Sequence, residues 1–232
     1  MGNKMRVVFS WSGGKDSALA LYELQAAGDV EVVSLLTSVA SAYRRISHHG
    51  VREELLVRQA EAIGLPVHIV YLPTGPDMLC TNAVYEQLMD EALAGFLRQG
   101  VQAVAFGDIF LEDLRAYRER NLARVGLRGI FPIWKRDTRQ LAERFLQLGF
   151  RAWVTCVEGW LGEQRVGCAL NREWLDQLPS GCDPCGENGE YHSFVFDGPL
   201  FRRSVPIVPG QTVKRDGRYY AELYPGSDDP PP

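Results

Sequence analysis

The first half of the chain alternates short apolar runs with longer stretches in which apolar residues recur at helical spacing. The short runs are rich in β-branched and aromatic residues and predict strands at residues 6–11, 30–37, 66–72 and 101–106. The longer stretches predict helices between residues 14 and 28 and at residues 51–63, 82–98 and 110–125. This alternation predicts an α/β fold in which a parallel sheet is covered by helices on both faces.

The pattern changes after about residue 129. One more helix is predicted at residues 137–148, and the remaining apolar runs are short and separated by Gly and Pro. They predict strands at residues 151–157, 191–196, 204–208 and 218–223. We therefore expect a larger α/β domain at 1–128, a smaller β-rich domain at 129–225 and a disordered tail, GSDDPPP, at 226–232. Because no long linker separates the two domains, we expect them to share a cleft.

Composition narrows the classes of function. Of 232 residues, 46% are hydrophobic and 23% are charged, which is typical of a packed globular protein. The net charge of −4 argues against DNA or bulk RNA as the main partner, since nucleic-acid binders usually carry a basic excess. No apolar run predicts a membrane span, and the N-terminus lacks the pattern of a signal peptide. Five scattered cysteines favour reduced thiols, so we expect a cytoplasmic protein.

The segment SWSGGKDS, residues 10–17, joins the first predicted strand to the first predicted helix. Its adjacent glycines allow a tight turn, and the N-terminus of the following helix favours an anionic phosphate group. Ser12 and Ser17 add hydroxyl donors, Lys15 adds a cation, and Asp16 can hold Mg²⁺ or orient backbone amides. The spacing differs from that of a Walker A loop. The simpler alternative is a strand-to-helix turn in which Ser12 is the helix cap.

The segment DPCGENGEYHSF, residues 183–194, carries a second group of polar residues around an Asn-Gly turn signal. Glu187, Glu190 and His192 can converge near this turn, where they would bind Mg²⁺, hold an ammonium ion or move a proton. The alternative is a hairpin with solvated glutamates and an incidental histidine.

Both segments resemble known families. SGGKDS resembles the PP-loop of the N-type ATP pyrophosphatases, which have an adenine-nucleotide α-hydrolase-like fold. DPCGENGEYHSF closely resembles the signature of the diphthine–ammonia ligase family, an ATP-binding domain family within that group. Further matching pieces are HGVR at 49–52, GDI at 107–109, PIW at 132–134 and DGPLF at 197–201. The resemblance covers nearly the whole chain, from about residue 4 to residue 201.

The resemblance implies an amidation with ATP and Mg²⁺. ATP activates the carboxylate of diphthine, a modified histidine on translation elongation factor 2, and ammonia displaces AMP. The implied catalytic residues are Asp16, Glu187, Glu190 and His192, with Asp16 also the metal ligand. The implied ATP-binding residues are Ser10, Ser12, Gly13, Gly14, Lys15, Asp16, Ser17, Thr37, Gly107 and Asp108. The implied substrate-binding residues are His49, Arg52, Glu112 and Arg118.

Several alternatives stay open at this point. A related PP-loop ligase would act on a different, small-molecule acid, whereas a non-catalytic nucleotide-binding module would need the loop but not the second segment. A tRNA thiolase would need a basic surface that a chain of net charge −4 does not indicate. A four-thiolate zinc site would require Cys156, Cys168, Cys182 and Cys185 to converge. A homodimer is also possible.

Overall fold

A computed structural model describes residues 4–46, 50–73 and 80–227. Its first sheet, sheet A, contains β1 (Met5–Ser10), β2 (Val30–Ala40), β3 (Arg45–Ile46), β4 (Val67–Leu72), β5 (Ala103–Ala105) and β6 (Arg128–Ile130). The strands are ordered β3-β2-β1-β5-β6, and β4 also pairs with β2. All of these pairings are parallel except that of β2 with β3.

Some of the helices lie between the strands of sheet A in the chain, and others follow its last strand. They are α1 (Lys15–Ala27), α2 (Glu53–Ile63), α3 (Asn82–Arg98), α4 (Glu112–Arg124), α5 (Thr138–Gln147) and α6 (Arg172–Asp176). Two short 3-10 helices lie at Gly159–Leu161 and Glu163–Arg165. Gly28 and Gly64 end α1 and α2 in the left-handed conformation, with φ of 82° and 81°. In the part of the chain that the structure describes, no helix is both long enough and apolar enough to cross a membrane.

Sheet A is buried on both faces. Val7 and Phe9 of β1 belong to one core cluster, whereas the intervening Val8 belongs to a second. Helices α1 and α2 contribute to the first cluster, and α3 and α4 contribute to the second. This arrangement explains why the strands appear in the sequence as continuous apolar runs rather than as alternating ones.

A second, antiparallel sheet follows in the chain. Sheet B has the order β8-β7-β10-β9 and consists of β7 (Arg151–Glu158), β8 (Tyr191–Asp197), β9 (Ile207–Arg215) and β10 (Arg218–Pro225). The larger core cluster runs from sheet A into sheet B, where it includes Val154, Phe194 and Leu223. The predicted fold class, a parallel α/β sheet with a smaller β-rich unit, is therefore confirmed.

The structure differs from the sequence prediction in a few elements. The bounds of the strand predicted at 204–208 are wrong, because β9 starts at Ile207 and extends to Arg215, so only the last two predicted residues lie in it. Pro209 interrupts the apolar pattern there, but β9 is an edge strand, where a missing backbone N–H is tolerated. The strand β6 crosses the predicted boundary between residues 128 and 129, and the division into two domains stays a prediction. Most of the predicted tail, 228–232, lies outside the described residues.

Candidate functional site

A cleft of about 260 Å³ opens between the carboxyl ends of sheet A and the start of β8. Three segments line it: the loop after β1, the segment between β5 and α4, and the turn before β8. We call residues 10–17 the phosphate loop and residues 183–194 the carboxylate hairpin. The position at the strand ends is where ligands bind in parallel α/β sheets.

Backbone geometry at two glycines shapes the phosphate loop. Gly13 has φ of 78°, and a Cβ added there would lie 2.6 Å from Oε1 of Gln59. A Cβ added at Gly107, in the segment after β5, would lie 2.9 Å from the backbone nitrogen of Ser17. Both positions therefore require glycine if the chain segments are to approach this closely.

The start of α1 is not capped by a side chain. Gly14 is the N-cap residue, and its N–H donates to Oγ of Ser12 at 3.2 Å. The hydroxyl oxygens of Ser12 and Ser17 are 3.0 Å apart, and both residues line the cleft with Ser10. The alternative in which Ser12 is the helix cap is therefore wrong, and the hydroxyl groups border the space in which we expected phosphate.

Lys15 lies in the wall of the cleft, but its ammonium group already has protein partners. Nζ is 2.7 Å from Oδ2 of Asp16, donates to the carbonyl oxygen of Cys185 and lies over the ring of Tyr191. Burial by itself would lower the pKa of Lys15, but the neighbouring Asp16 carboxylate raises it well above its ordinary value. Lys15 thus stays charged and ties the phosphate loop to the carboxylate hairpin.

Glu187 is a residue of the carboxylate hairpin that lines the cleft. Its Oε1 accepts hydrogen bonds from the backbone N–H of Ile109 at 2.7 Å and of Phe110 at 3.4 Å. Burial, reinforced by the charges of Asp16 and Asp108, raises the pKa of Glu187 to about 7, although the hydrogen bond from Ile109 acts in the opposite direction. The cleft therefore contains a carboxyl group that gains and loses its proton near neutral pH.

The other two predicted residues of the hairpin differ in position. His192, on β8, lines the cleft. Glu190 is buried and does not line it; Oε1 accepts from the backbone N–H of Asp183 and from Nδ2 of Asn188, both at 3.0 Å. The structure thus brings Glu187 and His192 to the cleft and turns Glu190 towards the backbone of its own hairpin.

An ion pair also lines the cleft. Nε of Arg118 lies 2.6 Å from Oδ2 of Asp108, and the guanidinium group stacks 4.4 Å from the centre of the Phe106 ring. Asp108, Arg118 and Phe106 all line the cleft, as does Gly107. Sequence analysis had assigned Asp108 to the nucleotide and Arg118 to the acceptor, and the two roles stay predictions.

A second pocket continues the cleft outwards. Four residues line both spaces: Leu111, Glu187, Gly189 and His192. The outer pocket adds Asn188 and Arg218. Arg218 is at the start of β10, far along the sequence, and sequence analysis did not identify it.

The remaining predicted residues that the structure describes do not line either space. Thr37 is buried within β2. Gly13 belongs to the phosphate loop, but its carbonyl oxygen accepts a hydrogen bond from the buried Gln59. Nη2 of Arg52 lies 3.1 Å from Oε2 of Glu222. Glu112 is exposed and forms an ion pair with a lysine, Lys135. His49 lies outside the described residues.

Gln59 is a residue that sequence analysis missed. It is fully buried, and its Nε2 donates to the carbonyl oxygens of Gly13 at 3.0 Å and of Val195 at 2.5 Å. Its Oε1 accepts from Nε1 of Trp11 at 3.1 Å. The Gln59 side chain therefore holds the phosphate loop against β8. The one signal of this role in the sequence is a polar residue on the buried face of a helix.

Three carboxylates that could contribute to a metal site line the cleft: Asp16, Asp108 and Glu187. Within the described residues, no group of three or more His, Cys, Asp or Glu side chains lies close enough to hold a metal ion. In the described part of the chain, Cys156, Cys168, Cys182 and Cys185 likewise form no shared zinc site. Burial raises the pKa of the Cys182 thiol to about 11. Mg²⁺ is commonly held by one or two carboxylates together with substrate phosphates, and the partly exposed Asp16 fits that mode.

The fold and the cleft define a class: an α/β protein with a glycine-rich phosphate loop after its first strand and a titratable carboxyl group opposite the loop. The chain matches the family model described as the diphthamide synthase N-terminal domain over residues 5–129. It matches the diphthamide synthase C-terminal domain over residues 137–222. The chain belongs to the diphthamide synthase family, as its resemblance to the diphthine–ammonia ligases indicated.

Curated relatives agree with this assignment. A protein of Danio rerio named diphthine–ammonia ligase is 29% identical over 238 residues, which cover 90% of this chain and 89% of the relative. The Homo sapiens protein of the same name is 25% identical over 247 residues, covering 94% and 89%. The Schizosaccharomyces pombe protein of that name is 26% identical over 229 residues, which cover 90% of this chain but 37% of the longer relative.

A solved structure also shows a partial likeness. It is the U34-tRNA thiolase NcsA from Methanococcus maripaludis with its 4Fe-4S cluster, which matches with a TM-score of 0.41 and 17% identity. The match covers 64% of this chain and 59% of the thiolase.

Proposed function

We propose that this protein is an ATP-dependent amide ligase that converts diphthine on translation elongation factor 2 into its amide, with ammonia as the nitrogen donor. Membership of the diphthamide synthase family and the names of the relatives support this proposal. The observation that carries it is the position of Glu187, a carboxyl group with a pKa of about 7 that lies between the phosphate loop and the outer pocket.

The first step is the activation of the acceptor. A carboxylate oxygen of diphthine attacks the α-phosphorus of ATP, the bond between the α and β phosphates breaks, and pyrophosphate leaves. The phosphate loop offers backbone amides at the N-terminus of α1 and the hydroxyl groups of Ser12 and Ser17 to the phosphates. Mg²⁺ held by Asp16 and the phosphates would neutralise the charge on the leaving pyrophosphate.

The second step is the transfer of nitrogen. Ammonia attacks the carbonyl carbon of the acyl-adenylate, AMP leaves, and the nitrogen must lose a proton. Glu187 is the base that fits this step, because its raised pKa lets it accept a proton near neutral pH, whereas an ordinary carboxylate is a much weaker base. The backbone N–H of Ile109 fixes the Glu187 carboxylate, so the base does not have to find its position during the reaction.

The test is a reaction of the purified protein with Mg-ATP, ammonium and elongation factor 2 that carries diphthine. We expect AMP and pyrophosphate, together with an acceptor in which mass spectrometry finds the carboxyl OH replaced by NH₂. Glu187→Gln should still form the adenylate but should transfer nitrogen slowly. Release of ADP and inorganic phosphate instead would refute the adenylation mechanism, and amidation of small acids without the elongation factor would favour the related ligase.

A further inference from the structure

The outer pocket lies on the side of Glu187 away from the phosphate loop. It shares Glu187 and His192 with the cleft, so a group bound in the outer pocket reaches the phosphates past these two side chains. Among the described residues that line it, Arg218 is the only Arg or Lys. The outer pocket therefore joins one cation to the cleft that carries the titratable carboxyl group.

Two contacts fix the guanidinium group of Arg218. Nη1 donates to the carbonyl oxygen of Gly189 at 3.1 Å, and Nη2 donates to a carboxylate oxygen of Glu158. Arg218 and Glu158 are directly paired in register between β10 and β7, so both side chains lie on the same face of sheet B. Arg218 also forms a side-chain hydrogen bond with Cys156. A guanidinium group has more N–H donors than these contacts use, and the Arg218 side chain is only partly buried.

The cations of the inner cleft are also paired with carboxylates, as Arg218 is with Glu158. Lys15 is buried against Asp16, and Arg118 is held by Asp108, both at ion-pair distance. The inner cleft thus presents paired charges to the phosphates, and Glu187 adds a negative charge as the pH rises above about 7. An acceptor carboxylate that approaches along this path is repelled by Glu187 unless a cation on the outer side holds it.

We infer that Arg218 binds the acceptor carboxylate in the outer pocket and directs it towards the α-phosphate. This inference rests on the proposed function and adds a specificity-determining residue to it. Arg218 favours acids because the planar guanidinium group can hold a carboxylate through two parallel hydrogen bonds, which a lysine cannot reproduce. The contact with the Gly189 carbonyl links this residue to the turn of the carboxylate hairpin, so the acceptor and the base are positioned by the same segment.

The experiment measures initial rates of AMP formation with Mg-ATP, ammonium and diphthine-bearing elongation factor 2, with each substrate varied in turn. Arg218→Ala should raise the KM for the elongation factor about 10- to 100-fold and should change the KM for ATP by less than about twofold. Arg218→Lys should give an intermediate increase, because it restores the charge but not the paired hydrogen bonds.

Arg172→Ala is the matched control. Arg172 also forms an ion pair with a glutamate, Glu143, but it lies on α6 and lines neither the cleft nor the outer pocket. This variant should keep both KM values. An unchanged KM for the elongation factor in Arg218→Ala, or an equal rise of both KM values, overturns the inference and leaves the proposed function in place. A wild-type protein that forms no AMP with this acceptor overturns the proposed function, and the role of Arg218 with it.

Discussion

Glu187→Gln should remove a pH-dependent loss of stability that the wild-type protein suffers between pH 5 and pH 8. In the wild-type protein, the N–H of Ile109 donates to Oε1 of Glu187 at 2.7 Å. Glutamine keeps an oxygen that accepts this hydrogen bond, so the substitution removes only the charge. In the folded protein the pKa of Glu187 is about 7, above its ordinary value of 4.5. The folded state therefore binds more protons than the unfolded state in this interval, so wild-type stability falls as the pH rises through it.

The magnitude follows from the size of this shift. The difference between about 7 and 4.5 corresponds to at most ~3.4 kcal/mol if all of it acts on folding, at ~1.36 kcal/mol for each pKa unit. Glu187 is only half-buried, and solvent screens part of the penalty. We therefore expect the stability difference between Glu187→Gln and wild type to shift by about 1–2 kcal/mol in favour of the variant between pH 5 and pH 8.

The assay is urea unfolding of both proteins at pH 5 and pH 8 without nucleotide or Mg²⁺, since a bound cation would itself lower the pKa. Glu112→Gln is the control: Lys135 lowers the pKa of the exposed Glu112 through a hydrogen bond, so this carboxyl group titrates below the interval. Its stability difference from wild type should be the same at both pH values. If Glu187→Gln also shows equal differences at both pH values, the burial argument for a neutral-pH carboxyl group is refuted.

Two further predictions concern the phosphate loop and the segment after β5 that packs against it. Lys15→Met should destabilise the fold by about 3 kcal/mol in chemical denaturation, because it leaves the Asp16 carboxylate without its partner at 2.7 Å. A loss below about 1 kcal/mol would contradict the role of Lys15 in holding the phosphate loop against the carboxylate hairpin. Gly107→Ala should weaken ATP binding about tenfold or more in calorimetric titration, because the new Cβ would meet the backbone of Ser17 at 2.9 Å. Gly95→Ala, where the nearest atom is 3.9 Å away, should bind ATP normally.

The turn of the phosphate loop and the helix that follows it could be predicted because the features that define them are consecutive in the chain. The adjacent Gly13 and Gly14 and the helix that follows them depend on local backbone conformation, and the structure shows a left-handed φ at Gly13 and the cap at Gly14. The alternation of strands and helices was also predictable, since burial of both faces of sheet A imposes continuous apolar runs on its strands.

Residues that act through tertiary contacts were not predictable in the same way. Gln59 contacts Gly13 across 46 positions of the chain, and Arg218 reaches Gly189 across 29. No periodicity relates such pairs. The three polar residues of the carboxylate hairpin show the same limit, because spacing alone could not reveal that the carboxylate of Glu190 accepts from the hairpin itself while Glu187 reaches the cleft.

The two halves of the cleft are joined directly, which bears on how water is excluded from the acyl-adenylate. The N–H of Val195 on β8 donates to the carbonyl oxygen of Gly13 at 2.9 Å, and the N–H of Lys15 donates to Oγ of Ser193 at 3.2 Å. The same core cluster continues beneath both segments. These contacts hold the phosphate loop against β8, so no closure of a second domain is needed to bring Glu187 into the cleft that the loop lines. In the proposed reaction, an acceptor bound in the outer pocket would be the group that keeps water from the acyl-adenylate.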